Sequence, residues 1–364
     1  MDAFAHGGDL DGYARRFPGR VPLDFSASLN PLGMPQEVRA ALHAAVDGCA
    51  RYPDPFCREL REGLAAKWGL SPGQIFCGSG AAEIFDRLAA VLRPRAALLL
   101  APSFSEYERA LCRVGTDCRF HMLHKEEGFA VTERILEQIP GEGGAVFLCS
   151  PNNPTGQAIS PGLLARIAGR CGETGAWLVV DECFGGFLAD GRERSMRRYL
   201  ERYGRLVIVR AFTKLYALAG VRLGWCMAQS PALIESLCAA GQPWNVSYLA
   251  QKAGAAALGC DAFAQESVRY IMRERAFLSE GLRRCGLWLC PGQANFVLFE
   301  SADPTLAERL LPHGILLRSC ADFRGLGAGW YRAAVRTHAE NVRLLETIQE
   351  VLHGKNDHGT GHVL

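Results

Sequence analysis

Residues 211–224 read Ala211-Phe212-Thr213-Lys214-Leu215-Tyr216-Ala217-Leu218-Ala219-Gly220-Val221-Arg222-Leu223-Gly224, shortly after the apolar run Leu206-Val207-Ile208-Val209. Such a run predicts a buried strand. Lys214 therefore follows a strand end and has small, hydroxylated and aromatic neighbours, which is unusual for a solvated surface lysine. A lysine shielded from water loses proton affinity, and its neutral amine can form a Schiff base with an aldehyde.

Arg222 follows Lys214 by eight residues and has the chemistry of a phosphate ligand. Its planar guanidinium can donate two parallel hydrogen bonds to one anion. An aldehyde and a phosphate occur together in pyridoxal 5′-phosphate (PLP), so this stretch suggests that cofactor. Taken alone, the pattern also fits an ordinary loop lysine.

The composition indicates a globular protein large enough for two domains, with 364 residues, 49% hydrophobic and 21% charged. Lys and Arg number 40 against 38 Asp and Glu, and the net charge is +2. This balance gives no electrostatic reason to expect nucleic acid or an anionic membrane as a partner. No apolar run approaches the ~20 residues of a membrane span.

The cellular compartment is expected to be the cytoplasm, because residues 1–9 lack the basic and apolar segments of a signal peptide. The 14 cysteines are scattered and form no CxxC pair, so no disulfide framework is expected. His353, His358 and His362 near the C-terminus are interpreted as part of a solvated tail, and no metal site is predicted.

Strands and helices alternate through the first two thirds of the chain. Strands are predicted at 96–101, 145–149, 177–180 and 206–209, with helices at 82–92, 104–114 and 161–174. This alternation predicts an α/β fold with a mostly parallel central sheet covered on both faces. The domains are expected to be an irregular N-terminal arm (1–34) joining the small domain, a large PLP-binding domain (35–240) and a small C-terminal α+β domain (241–364).

Special side chains follow four of these strands, where the active sites of parallel sheets form. They are Phe104, Asn153, Asp181 and Lys214. Asp181 would keep the PLP ring nitrogen protonated, although it could also simply cap a strand end. Asn153, in a proline-bounded loop, could donate to the ring oxygen. Phe104 could lie on the ring, but core packing is the more common fate of phenylalanine.

These motifs together resemble the fold-type I PLP enzymes, the aspartate aminotransferase superfamily. Asn153-Pro154-Thr155-Gly156 precedes Asp181, which is followed 33 residues later by Lys214 and then by Arg222. Further stretches resemble the threonine-phosphate decarboxylases of cobalamin biosynthesis, with the histidinol-phosphate aminotransferases as near relatives. They include His6-Gly7-Gly8, residues 24–33, 51–54, 102–107 and 291–295, and Arg318-Ser319-Cys320-Ala321.

The resemblance implies a role for each matching position. Lys214 would bind PLP covalently, and Arg222, Thr213 and the backbone of Gly80 and Ala81 would hold its phosphate. Phe104 would stack on the ring, with Asp181 and Asn153 at its nitrogen and oxygen. Tyr52 would reach the cofactor phosphate from the partner subunit of a homodimer. The residues expected to meet a phosphorylated amino acid are His6, Ser28, Arg318, Arg332 and Arg336, with Arg336 matched to the carboxylate-binding arginine of aminotransferases.

Three positions depart from the common pattern of the superfamily. Ala211 stands where the phosphate-binding motif usually has Ser, which removes one hydroxyl contact. Phe184 stands where aminotransferases commonly carry Tyr, although the decarboxylases also tend to have Phe. Ser28 stands where these decarboxylases often show Asn beside the substrate.

The resemblance implies PLP-dependent decarboxylation of L-threonine O-3-phosphate to (R)-1-amino-2-propanol O-2-phosphate and CO2. Two alternatives within the same fold stay open: an aminotransferase for a phosphorylated substrate such as histidinol phosphate, and a decarboxylase that prefers L-serine O-phosphate. One methyl group contributes only about 1–3 kcal/mol of discrimination, so the sequence does not choose between the two amino acids. A PLP-binding regulator is disfavoured, because the chain lacks room for a DNA-binding extension.

Overall fold

A seven-stranded mixed sheet, two smaller sheets and the helices around them make up the computed structural model, which describes residues 6–354. The strands are β1 (Leu23–Asp24), β2 (Ile75–Gly78), β3 (Ala96–Ala101), β4 (Asp117–Met122), β5 (Ala145–Cys149), β6 (Trp177–Asp181), β7 (Leu206–Ala211), β8 (Gly224–Ala228), β9 (Trp288–Leu289), β10 (Phe296–Glu300), β11 (Ile315–Leu316), β12 (Arg318–Ser319) and β13 (Trp330–Ala334).

The α-helices are mostly amphipathic and lie between these strands. They are α1 (Leu10–Arg16), α2 (Gln36–Ala45), α3 (Arg58–Trp68), α4 (Gly80–Leu92), α5 (Glu106–Cys112), α6 (Pro161–Thr174), α7 (Gly191–Arg194), α8 (Pro231–Ala239), α9 (Tyr248–Ala257), α10 (Asp261–Arg284), α11 (Leu306–Leu310) and α12 (His338–His353).

The large sheet has the strand order β2-β8-β7-β6-β5-β3-β4. The five strands from β7 to β4 are parallel, and β8 runs antiparallel to both of its neighbours. Both faces of the sheet are covered, because alternate residues of β5 enter different cores. Val146 and Leu148 pack on one side, whereas Phe147 and Cys149 pack on the other. The prediction of a mostly parallel α/β sheet is confirmed.

The strand register sets the position of the residues that follow the central strands. Cys149 lies opposite Asp181 at the ends of β5 and β6, and Asp181 lies opposite Val209 near the end of β7. Because parallel strands end at one edge of a sheet, the loops that carry Asn153 and Lys214 begin beside Asp181.

A second core packs around the antiparallel sheet β12-β13-β10-β9 and the long helices α10 and α12. The parallel pair β1-β11 joins the N-terminal segment to this region. The domain boundaries at residues 34 and 240 stay predictions.

Several elements differ from the sequence-based expectations. Residues 10–16 form a helix although residues 1–34 were expected to be irregular, because Asp9 caps the backbone of Gly12 and Tyr13 is buried. The edge strand β4 alternates exposed and partly buried residues. The short strand β8 has no β-branched residue and is defined by its pairing between β2 and β7.

None of the 14 cysteines forms a disulfide. Within residues 6–354, every helix is too short or too polar to cross a bilayer. His353 is the last residue of α12, whereas His358 and His362 lie outside the described residues.

Gly224 brings the N-terminus of α4 against the sheet, and we predict that Gly224→Ala lowers stability by about 1–3 kcal/mol. An added Cβ would lie 2.7 Å from the Ala81 nitrogen and 2.7 Å from the Gly80 carbonyl carbon, so the helix must shift. Urea denaturation measures the expected loss of stability. The control is Gly204→Ala, whose added Cβ meets no atom within 4 Å. Equal stability of the two variants would contradict this account.

Candidate active site

Lys214 lies in a tight turn after β7 that the N-terminal segment holds in place. The backbone N–H of Asn30 donates to the Lys214 carbonyl at 3.1 Å, and the Asn30 side chain donates to the Leu215 carbonyl at 2.7 Å. Ala217 (φ 52°) and Arg222 (φ 59°) adopt the left-handed region, which side-chain-bearing residues rarely do. Such backbone strain clusters at functional sites.

The Lys214 ammonium is destabilised by its surroundings. Burial lowers the pKa of Lys214 to about 8, and the positive charges of Arg332 and Arg222 act in the same direction, whereas Asp181 opposes the shift. The Nζ atom lies 5.5 Å from the centre of the Phe184 ring. An ordinary lysine has a pKa of about 10.4, so Lys214 is a far better nucleophile near neutral pH.

Asp181, the last residue of β6, is buried and accepts two hydrogen bonds from the protein. The Tyr107 hydroxyl donates to Oδ2 at 2.6 Å, and the Cys183 backbone N–H donates to Oδ1 at 2.8 Å. Burial raises the pKa of Asp181, and these hydrogen bonds oppose the rise. A cationic nitrogen placed against this carboxylate would stabilise its ionised form.

The loop after β5 is fixed by Asn152 rather than by its prolines alone. The Asn152 side chain donates to the Pro102 carbonyl at 3.0 Å and accepts from the Ser103 hydroxyl at 2.8 Å. The Asn152 backbone carbonyl accepts from the Gly156 backbone N–H at 2.6 Å. The adjacent Asn153 is therefore held between the ends of β3 and β5.

Arg332 borders the cavity from β13, on the opposite face of the strand from Tyr331 and Ala333, which pack in the second core. Its guanidinium donates to the Asn153 side-chain oxygen and, at 2.8 Å, to the Ser26 carbonyl. The Asn153 amide nitrogen is left as the group that can donate to a ligand.

The N-terminus of α4 and the strained residue Arg222 form a cradle for an anion. Ala81 and Ala82, in the first turn of α4, border the cavity together with Thr213 and Arg222. First-turn N–H groups have no partner within their helix and attract phosphate. A Cβ at Gly80 would lie 2.6 Å from Arg222 Nη2, so glycine permits the close approach of this arginine.

Another group of charged residues lies at the mouth of the cavity. His6 Nε2 lies 3.0 Å from Glu106 Oε1, to which Arg109 donates at 2.8 Å. Arg318 donates to Asp322 at 2.7 Å. An anionic substrate entering here meets several positive charges that carboxylates partly offset.

These groups border one cavity of about 450 Å³, a volume typical of ligand sites. The predicted residues that line it are His6, Ser28, Ala81, Phe104, Asn153, Asp181, Thr213, Lys214, Arg222, Arg318 and Arg332, and Ala211 and Phe184 border it as well.

Three predicted residues do not border this cavity. Gly80 lies directly behind its wall, next to Arg222. Tyr52 is 78% exposed and stacks on Trp244 with ring centres 4.8 Å apart. Arg336 donates to Glu340 at 2.7 Å. Of the two arginines near the end of β13, the structure thus brings Arg332 and not Arg336 to the cavity.

The donor set fits PLP. An amine, a carboxylate, an amide and an anion cradle face one space, and they match an aldehyde, a ring nitrogen, a ring oxygen and a phosphate. Seven buried side-chain atoms have no hydrogen-bond partner among the described residues, and two of them, Ser28 Oγ and Arg332 Nε, belong to residues that line this cavity. A ligand bound in the cavity would offer these two atoms a partner.

Sequence reasoning did not assign a role to Tyr107, Asn152 or Glu106. Tyr107 lies three residues after Phe104, but Phe104 precedes α5, so helical spacing gives no sequence signal for the role of Tyr107. The contacts of Asn152 depend on Pro102 and Ser103 in the loop after β3, so the sequence around Asn152 does not predict them.

Comparison with known proteins agrees with this geometry. The family model for aminotransferase class I and II matches residues 20–348. Threonine-phosphate decarboxylase from Salmonella typhimurium is 36% identical over 96% of this chain and 97% of its own length. The adenosylcobalamin biosynthesis bifunctional protein from Leptospira interrogans is 29% identical over 97% of this chain and 42% of its own. The structure of histidinol-phosphate aminotransferase from Clostridium acetobutylicum aligns with a TM-score of 0.83 and 26% identity, covering 91% of this chain and 99% of that one.

We predict that the cofactor-free protein captures PLP faster as pH rises through about 8, the pKa of Lys214. Only the neutral amine reacts, and its fraction increases as pH rises through the pKa. Growth of the visible absorbance after mixing measures the rate. Lys214→Ala should show no such band, whereas Lys252→Ala, which removes a surface ion pair with Glu59, should match the unmodified protein. A rate that rises only near pH ~10 would indicate an ordinary lysine.

Proposed function

Since the chain belongs to the class I and II aminotransferase family, we propose that it decarboxylates L-threonine O-3-phosphate to (R)-1-amino-2-propanol O-2-phosphate and CO2 in cobalamin biosynthesis. The chain is a PLP-dependent enzyme, as its family membership and near full-length similarity to a threonine-phosphate decarboxylase indicate. The name of the Leptospira relative supports the pathway.

The observation that carries the proposal is a second set of cationic side chains in the cavity, besides Lys214 and Arg222. Arg318 and Arg332 belong to this set, and the His6 imidazole borders the same cavity. An unphosphorylated amino acid offers one carboxylate, whereas a phosphorylated one adds a dianion that needs further positive charge. The extra cations therefore suit a substrate with a phosphate at one end.

Anchoring through this phosphate can decide which bond breaks at Cα. When bound, PLP would supply an electron sink for the electron pair released at Cα. Arg318 and His6 would hold the substrate phosphate and so fix the orientation of the substrate carboxylate. That carboxylate would leave as CO2, its bonding electron pair would stay on the Cα side, and the Lys214 ammonium would return a proton to Cα.

The remaining residues would hold the reacting groups in place. Asp181 would keep a proton on the ring nitrogen. Asn153, oriented by Arg332, would donate to the ring oxygen without help from Phe184, which has no hydroxyl. Thr213, Arg222 and the first turn of α4 would bind the cofactor phosphate, with no hydroxyl from Ala211.

We further propose that the enzyme is a homodimer with shared sites. Tyr52 and Trp244 form an exposed aromatic pair, 78% and 45% accessible, on the surface of one chain. Aromatic residues of this kind are enriched in interfaces. The cytoplasm is the proposed compartment, because 14 unpaired cysteines suit a reducing environment.

The assignment is tested by incubating the purified holoenzyme with O-phosphothreonine and, side by side, O-phosphoserine. We expect CO2 and 1-amino-2-propanol phosphate, with no dependence on a keto acid. Amino-group exchange with 2-oxoglutarate in the absence of CO2 release would instead favour an aminotransferase, with histidinol phosphate as the next substrate to test. Higher kcat/KM for O-phosphoserine would reassign the substrate and keep the reaction.

We predict that Arg332→Gln and Arg336→Gln have unequal effects. Removing a charged hydrogen-bonding group costs about 1.5–3 kcal/mol, so Arg332→Gln should lower kcat/KM roughly tenfold or more. Arg336→Gln removes a partly exposed pair with Glu340 and should change kcat/KM less than about fivefold. Steady-state kinetics with O-phosphothreonine compares the variants, and circular dichroism checks their folding. A larger loss in Arg336→Gln would return the substrate role to that residue.

A further inference from the structure

Tyr107 is a fully buried residue of α5 whose hydroxyl points at a site carboxylate. It is 1% exposed, and its hydroxyl donates to Asp181 Oδ2 at 2.6 Å. Hydrogen bonds to an ionised acceptor are short and about twice as strong as neutral ones.

Aromatic packing holds the Tyr107 ring firmly in this position. Its ring meets Phe85 edge-on with centres 4.8 Å apart and meets Phe104 edge-on at 5.5 Å. Phe147, from β5, lies 6.1 Å away. The hydroxyl cannot turn away from Asp181 without disturbing this cluster, and Phe104 cannot tilt freely against the ring.

Asp181 receives its two protein hydrogen bonds on different oxygens, from Tyr107 and from the Cys183 backbone. A carboxylate oxygen has two lone-pair directions, so each oxygen keeps one for another donor. The plane of the carboxylate is therefore set by the two donors together. Removing the Tyr107 hydroxyl would leave the carboxylate held through Cys183, by its backbone N–H and its thiol.

We propose that Tyr107 is a positioning residue that orients Asp181 towards the cofactor ring nitrogen and fixes the tilt of Phe104 over the same ring. One side chain thereby supports contacts to the edge and to the face of the cofactor. This inference rests on the cofactor contacts proposed for Asp181 and Phe104, and not on the identity of the substrate.

The hydroxyl also affects the protonation of Asp181. The titratable groups that act on this carboxyl are Tyr107 from α5, Cys149 from β5, Cys183 after β6 and Lys214 after β7. Burial raises the pKa of Asp181, and the hydrogen bond from Tyr107 opposes that rise. Loss of the hydroxyl alone should raise the pKa of Asp181 further. When the solution is acidified, any function that needs ionised Asp181 should then be lost at a higher pH than in the unmodified enzyme.

The test compares Tyr107→Phe with Tyr331→Phe in the holoenzyme. Tyr331 is an equally buried tyrosine, and its hydroxyl donates to the Asp303 carbonyl outside the site. For Tyr107→Phe we expect kcat to fall roughly ten- to hundredfold with little change in KM. PLP should dissociate faster, and the acid limb of the kcat profile and the pH titration of the cofactor absorbance should move to higher pH. Tyr331→Phe should lower only thermal stability.

A double variant separates a positioning role from a structural one. If Tyr107 acts through Asp181, adding Tyr107→Phe to Asp181→Asn should cost little beyond the single Asp181 change. Additive losses, or a Tyr107→Phe enzyme with unchanged PLP release and pH behaviour, would overturn the proposal. Absorbance and PLP release need no substrate, so they report on Tyr107 even if the proposed decarboxylation proves wrong.

Discussion

The alignment of three strand ends is the constraint on which the site depends. Cys149, Asp181 and Val209 lie side by side at the ends of β5, β6 and β7, so the loops after these strands start from one line. Shifting β6 by one residue would turn Asp181 to the opposite face of the sheet, because side chains alternate along a strand. The fit of different side chains in the two cores resists such a shift, since Leu178 and Val180 pack in one core and Val179 in the other. The fold therefore specifies the placement of the carboxylate before any ligand is present.

Charge is the second constraint, since the cavity gathers more positive than negative groups. Burial and neighbouring cations lower the pKa of Lys214 to about 8 and that of Arg332 to about 10. Such mutual destabilisation costs folding free energy that an anionic ligand recovers. A cofactor phosphate near Arg222 and a substrate phosphate near Arg318 would each offset part of it. The same burial and charge repulsion keep Lys214 nucleophilic near neutral pH, so this destabilisation contributes to the chemistry.

The sequence predicted the strands that carry the site well, because long apolar runs between turn residues mark buried parallel strands. It did not predict β8, which contains Trp225 but no β-branched residue and which pairs with β2 and β7 on its two sides. Most of the candidate residues that the motifs identified line one cavity. Motif spacing could not separate Arg332 from Arg336, since that choice depends on where β13 ends. Arg332 lies within the strand and borders the cavity, whereas Arg336 lies beyond its end and pairs with Glu340. The contact between Tyr107 and Asp181 was likewise invisible, because it joins a helix and a strand 74 residues apart.

The N-terminal segment shows how substrate contacts and the catalytic lysine share one support. Asn30 holds the Lys214 turn, the Ser26 carbonyl accepts from Arg332, and His6 reaches Glu106 at the cavity mouth. The same segment pairs with β11 through β1. A displacement of this segment would thus alter the lysine, the arginine and the histidine together. The position of Lys214 and the charged groups at the mouth therefore depend on one supporting segment.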